Sequence, residues 1–184
     1  MGYNLIAIRD SANIIGYNNN LVYKIKEDLL FFKNITTNCQ DGKINAIVMG
    51  YNTWVSIPEK FKPLPKRLNV ILSKQHINDL LQHNNNDIET GHSLMVRNNF
   101  NSTISELERM PLIDSIFVIG GSQIYQEAIN LNQINKIYLT EIEDNVFNLL
   151  SNKNMISYFP YFNLDNYHQI QSEIKELKLD ICLN

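Results

Sequence analysis

Phe117-Val118-Ile119-Gly120-Gly121-Ser122-Gln123-Ile124-Tyr125 runs apolar to Ile119, breaks at two glycines and resumes as a pattern in which Ile124, Ala128 and Leu131 share one helical face. An apolar run without alternation suits a strand covered on both faces, and the glycines mark where that strand becomes a helix. With no Cβ in the way, backbone N–H groups at the helix start can approach a phosphate. An ordinary strand-to-helix turn has the same pattern. Alone, it makes Gly120, Gly121, Ser122, Gln123, Ile124 and Tyr125 only a candidate anion cradle.

Comparable apolar runs recur outward in both directions: Leu5 to Ile8, Ile44 to Met49, Leu68 to Leu72, Leu94 to Val96, Ile116 to Ile119 and Ile137 to Leu139. Between them Ile25, Leu29, Phe32 and Ile35, and then Ile104 and Leu107, fall at helical spacing. Strands alternating with helices define an α/β chain with a mostly parallel sheet. Pro58 to Pro65 reads as loop, His76 to His92 as a polar surface connection, and Asp144 to Ser157 as a polar excursion. No repeat or domain linker interrupts the chain, so residues 1–184 are expected to form a single domain.

Three further places carry chemistry. In Met49-Gly50-Tyr51-Asn52-Thr53-Trp54, Thr53 could start a short helix and face an anion, although capping threonines are common. Asp28 lies on the helix of Ile25 and Phe32, spaced from Leu21 and Tyr23 so that its carboxylate can stand at an apolar pocket; a first-turn acid favoured by the helix dipole would look the same. Arg67 precedes the strand Leu68 to Leu72 and Lys74 follows it, where cations are usually solvated.

Composition excludes several classes. A net charge of -3 provides no basic field for nucleic acid. Two cysteines, Cys39 and Cys182, without clustered histidines, argue against a disulfide framework or a metal site and fit a reducing compartment. The apolar N-terminus ends at Arg9, too short for a signal peptide or membrane span, and Ile6 stands where myristoylation requires Ser or Thr; a cytoplasmic protein is expected. The runs Asn18-Asn19-Asn20 and Asn84-Asn85-Asn86 fit a compositional bias from which no function follows.

The ordered set Ile15-Gly16, Leu21, Asp28 with Phe31-Phe32, Met49-Gly50 with Thr53-Trp54 and Ser56-Ile57-Pro58, Arg67 through Ser73, Ile119-Gly120-Gly121 with Tyr125, Leu139-Thr140 and Phe159-Pro160 resembles dihydrofolate reductase from about Leu5 to Tyr167. The resemblance implies a central twisted sheet of about eight strands, parallel except the last, with helices on both faces. It implies reduction of dihydrofolate to tetrahydrofolate with NADPH, a hydride going to C6 and a proton to N5. On that likeness Asp28 binds the pterin ring and supports its protonation, Thr140 orients Asp28, and the Tyr23 hydroxyl partly replaces a water-ordering indole. Leu29, Phe32, Ile57 and Leu64 form the apolar wall, with Arg67 gripping the glutamate α-carboxylate. Ala7, Ile15, Gly16 and Leu21 meet the nicotinamide end of the cofactor; Thr53 and the segment Gly120 to Tyr125 take its pyrophosphate; Ser73 and Lys74 take the 2′-phosphate, assisted by Arg97 or Asn98.

The sequence departs from the family at several points. Leu21-Val22-Tyr23 replaces Leu-Pro-Trp, Tyr51 and Asn52 stand where a basic residue is common, and the loop from Ala7 to Gly16 is longer by about one residue. After Tyr167 the chain stops at Asn184, so either the terminal hairpin is short or this is one domain of a larger chain such as a fusion with thymidylate synthase. Two other functions compete. One is the riboflavin-pathway reductase of the same fold, which lacks a helix acid paired with a downstream Thr; the other is a weakly active folate- or nucleotide-binding homologue.

Overall fold

The computed structural model describes residues 2–77, 92–163 and 167–169. In chain order these form β1 (Tyr3–Asp10), β2 (Ile14–Tyr17), β3 (Asn20–Leu21), α1 (Lys26–Thr37), β4 (Ile44–Gly50), α2 (Tyr51–Ser56), β5 (Arg67–Leu72), β6 (His92–Arg97), α3 (Phe100–Leu107), β7 (Ile113–Gly120), α4 (Ser122–Leu131), β8 (Ile134–Ile142) and β9 (Ile156–Tyr158), with short 3₁₀ turns between. Every apolar run identified in the sequence is a strand, and all six join one parallel sheet in the order β6-β5-β4-β7-β1-β8.

Pleating divides each strand between two cores. Ala46 and Val48 of β4 pack with Phe100, Ile104 and Leu107 of α3 and with Ile124 and Ala128 of α4. Ile47 and Met49 pack with Phe32 and Ile35 of α1 and with Trp54 beyond β4. Helices therefore cover both faces, which is why the strands are apolar throughout, and each fully buried Ile, Leu or Val adds ~1.5–3 kcal/mol. Because the strands are parallel, their carboxyl ends share one edge, where the loops bearing functional side chains gather.

A second, three-stranded antiparallel sheet, β3-β2-β9, stands at that edge. Its tight hairpin uses Asn18 and Asn19 at φ 49° and 59°, the left-handed pair required by a type I′ turn. The asparagine run attributed to compositional bias thus has a backbone role, since Asn tolerates this region better than other side chains with a Cβ. Beneath the hairpin Ile14, Tyr17, Val22 and Tyr23 form a separate apolar cluster with Val146 and Leu150. The stretch expected to be a polar excursion is accordingly anchored at two points and supplies β9.

Among the described residues the main sheet has six strands rather than about eight. The antiparallel last strand and the hairpin expected near Leu177 to Leu183 lie outside the described residues, as does most of the connection after His76. No helix among the described residues is long and apolar enough to cross a membrane.

Candidate active site

A cleft of about 1260 Å³ opens between the carboxyl edge of the sheet and the β2–β3 hairpin. Among the described residues, Lys24, Lys33, Lys60, Arg67 and Lys74 line it against two acids, Asp28 and Glu127. A chain of net charge -3 therefore presents a cationic cavity, suited to a ligand with several negative charges.

Asp28 faces this cleft from the first turn of α1, half-buried, and its Oδ1 accepts the Thr140 hydroxyl at 2.5 Å. Register in the sheet places Thr140 of β8 opposite Ile8 of β1, which itself lines the cleft, and α1 carries Asp28 to it. Burial lifts the Asp28 carboxyl above its ordinary range, while the Thr140 hydrogen bond draws it part of the way back. The next residue, Leu29, is 46% exposed: it faces the cleft instead of completing the sheet-facing stripe of Phe32 and Ile35. Ile57 and Leu64 complete an apolar wall beside it. Asn69, fully buried, fixes Leu64 by accepting its N–H and donating to its carbonyl, each at 2.9 Å.

Arg67 is 3% exposed yet reaches the cleft. It donates through Nη1 to Thr36 Oγ1 at 2.8 Å and through Nε to the Pro65 carbonyl at 3.0 Å, and lies over the Phe32 ring. Among the described residues no carboxylate pairs with it. Burial brings its pKa down to about 10, leaving it charged at neutral pH and ready for an anion. Thr36 was not singled out from the sequence. Its hydroxyl donates to the Phe32 carbonyl at 2.7 Å, which looks like routine helix back-bonding until Arg67 is seen on its other side.

The second group of residues surrounds the β7–α4 turn. Gly121 caps α4 without a side-chain bond, and a Cβ there would meet Thr53 Oγ1 at 3.4 Å. Ser122 Oγ is buried without a hydrogen-bond partner and also lines the cleft. An orphaned hydroxyl beside the free N–H groups of a helix start fits a phosphate acceptor. Ala7, Ile15, Gly16, Leu21, Gln123, Ile124 and Tyr125 border the same cleft, as do Ser73 and Lys74. Ser122→Ala should raise Tm of the free protein by ~2–4 °C, because removing an unsatisfied buried hydroxyl relieves about 1 kcal/mol. A thermal melt showing no rise would mean that the hydroxyl is already satisfied.

Several expected residues are placed differently. Tyr23 does not line the cleft: it is 3% exposed, and its hydroxyl donates to Asp10 Oδ2 at 3.0 Å. Burial first, and then the Asp10 carboxylate, hold its phenol above the ordinary range, so it stays a donor. Gly120 lies behind the cleft against the Tyr125 ring. Thr53 is the third residue of α2, which Gly50 caps, rather than its start. Arg97 is taken by Glu106 in a two-pronged pair at 2.8 and 2.6 Å, leaving Asn98 on the cleft. Where a basic residue was missed after Gly50, Tyr51 stacks on His76 at 3.9 Å between ring centroids, both on the cleft.

A parallel α/β sheet with a cation-lined cleft at its carboxyl edge, a glycine-cradled helix start and one carboxylate on an apolar wall define a nucleotide-cofactor type of enzyme scaffold. Residues 3–180 match the dihydrofolate reductase family, and the chain belongs to that family. It is similar to dihydrofolate reductase of Candida albicans, at 35% identity over 140 residues covering 76% of this chain and 67% of that protein. It is also similar to that of Heliothis virescens, at 32% over 171 residues, or 92% and 85% of the two chains. The bifunctional dihydrofolate reductase-thymidylate synthase of Glycine max is 38% identical over 136 residues, 72% of this chain but 24% of that protein, so the chain spans about a quarter of this bifunctional relative. Among solved structures, dihydrofolate reductase of Schistosoma mansoni superposes with a TM-score of 0.71 at 29% identity, over 94% of this chain and 87% of that one.

Proposed function

We propose that the chain reduces dihydrofolate to tetrahydrofolate with NADPH. The observation that carries this is Asp28, held by Thr140 at 2.5 Å at an apolar wall within a cleft in which cations outnumber acids. A carboxylate so placed pairs with the N3 and 2-amino group of a pterin, while Leu29, Phe32, Ile57 and Leu64 receive the rings and Arg67 the glutamate α-carboxylate. When bound, NADPH supplies the hydride for C6. Asp28 stabilises the protonated form of the ring, so that N5 takes up a proton from water, and Thr140 keeps the carboxylate aimed.

Thr53, Gly121 and Ser122 suit the cofactor pyrophosphate, with Ala7, Ile15, Gly16 and Leu21 about the nicotinamide. Ser73 Oγ accepts the His76 N–H at 3.0 Å, which leaves its own proton for the 2′-phosphate beside Lys74. Lys74→Glu should weaken NADPH roughly 10- to 100-fold and NADH by less than about 3-fold, the size of one lost charge-assisted contact. Equal losses would remove Lys74 from the phosphate site. The likeness to a bifunctional protein supports thymidylate synthase as a functional partner, fused or separate.

Following NADPH absorbance with dihydrofolate tests the whole reading: turnover is expected. Turnover only with a flavin-pathway pyrimidine substrate would favour the riboflavin-pathway reductase, and binding without turnover a non-catalytic homologue.

A further inference from the structure

Asp10 ends β1 only 2% exposed, and it does not line the cleft. Its Oδ1 accepts the backbone N–H groups of Ala12 and Ile14 at 2.9 and 2.8 Å. Its Oδ2 accepts the Tyr23 hydroxyl at 3.0 Å and the Val146 N–H at 3.4 Å. The adjacent Arg9 turns instead to Glu141, at 2.6 Å, and among the described residues no cation pairs with Asp10. A turn from Asp10 to Asn13 needs no buried charge; Ser or Asn would serve it. Burying a carboxylate is unfavourable unless donors surround it, and here they come from three separate stretches of chain.

Those stretches meet around the β2–β3 hairpin. Ile14, held by Oδ1, is followed directly by Ile15 and Gly16 on the cleft, and Tyr23 comes two residues after Leu21 on the cleft. Val146 belongs to the buried cluster beneath the hairpin and is itself 2% exposed, so it serves as fixed ground. On its other side the hairpin pairs with β9 from Ile14 to Tyr17, flanked by the Phe159 N–H to the Asn13 carbonyl at 2.8 Å, Asn18 N–H to the Met155 carbonyl at 3.0 Å and the Tyr17 hydroxyl with Ser151 Oγ at 3.0 Å; Asp10 is what ties it to Tyr23 and Val146.

We propose that Asp10 is a positioning residue for the reductase reaction, its carboxylate fastening the β2–β3 hairpin to Tyr23 and Val146 so that Ile15, Gly16 and Leu21 stand over the cofactor end of the cleft. This rests on the assignment of the cleft to NADPH and dihydrofolate. Asparagine at position 10 keeps the shape but offers one acceptor oxygen where two are used, and its amide N–H groups face the Val146 N–H and the Tyr23 hydroxyl.

Steady-state kinetics with both substrates varied, well below the melting temperature, test it on three variants. Asp10→Asn should raise KM for NADPH about 10-fold with KM for dihydrofolate within about 2-fold, and Tyr23→Phe should raise KM for NADPH about 3-fold, as loss of some or one of the hydrogen bonds to a charged group would do. The double variant should be no worse than Asp10→Asn alone, since the Tyr23 bond acts through Asp10. A lower Tm with both KM values unchanged, equal rises in both, or fully additive effects would each overturn the proposal. Should Asp10→Asn fail to fold, Tyr23→Phe, which deletes one hydroxyl, decides alone. A wild-type chain that neither binds nor oxidises NADPH would overturn the site reading and this assignment together, whereas wild-type turnover with unaffected variants would overturn only the assignment.

Discussion

Asp28→Asn is expected to lower turnover of dihydrofolate at pH 7 by about 10²- to 10⁴-fold, the usual contribution of a positioned acid or base, while NADPH still binds. The amide keeps the shape and can accept the Thr140 hydroxyl, but cannot carry the charge that favours a protonated pterin. Activity should partly return at low pH, where solution protonates the ring first. Stability should move in the opposite sense. Burial raises the Asp28 carboxyl, so as pH rises the native state releases this proton later than the unfolded chain does. The stability this group contributes is therefore present below its ordinary value of 3.8 and lost as pH rises through the folded value. At neutral pH the charge is a net cost, and the Asn variant should melt higher, with the gain vanishing in acid. Rates and melts across pH check both halves. Wild-type turnover in the Asn variant at pH 7 would sink the mechanism.

Gly120→Ala should be strongly destabilising. At φ +100° a side chain is strained, and its Cβ would lie 2.6 Å from Tyr125 Cε2. That ring cannot yield readily: it is 4% exposed, its hydroxyl donates to the Ile6 carbonyl at 2.8 Å, and Phe159 packs against it. Strain and overpacking together amount to about 2–4 kcal/mol, or a fall in Tm of roughly 5–15 °C. The turn into α4 would shift as well, so NADPH affinity should fall with it. Gly42 is the control, because it too has a positive φ, +76°, but nothing lies within 4 Å of its missing Cβ. Gly42→Ala should cost about 1 kcal/mol, the backbone strain alone. Equal melts for the two variants would show that the Tyr125 contact is unimportant.

The main sheet could be anticipated because strands buried on both faces must be apolar throughout, and β4, β5 and β7 advertise this in consecutive residues. Asp28 with Thr140 came from motif order, not from spacing: 112 positions separate them, and they meet only because α1 packs on the sheet beside the strand that carries Thr140. The hairpin sheet escaped because β2 and β3 are short and their turn residues, Asn18 and Asn19, also occur in meaningless polar runs. Tyr23 was misplaced for a different reason. A hydroxyl takes whatever acceptor the fold delivers, and Asp10, thirteen positions upstream, carries no sign in the sequence that it points inward. Arg97 likewise was claimed by Glu106 one helix away, a pairing that depends on how α3 docks against β6.

The strand order has a consequence for biosynthesis. β1 lies between β7 and β8, and Tyr3 at its start donates to the Ala128 carbonyl 125 positions later. β1, made before the other strands of its sheet, is thus one of the last to find both neighbours. At ~5–20 residues per second the interval is roughly 6–25 s, during which a segment apolar on both sides is available to the wrong partner. β1 cannot be paired along both edges until β8 has been made, and release before then would leave one of its edges open for chaperones to shield.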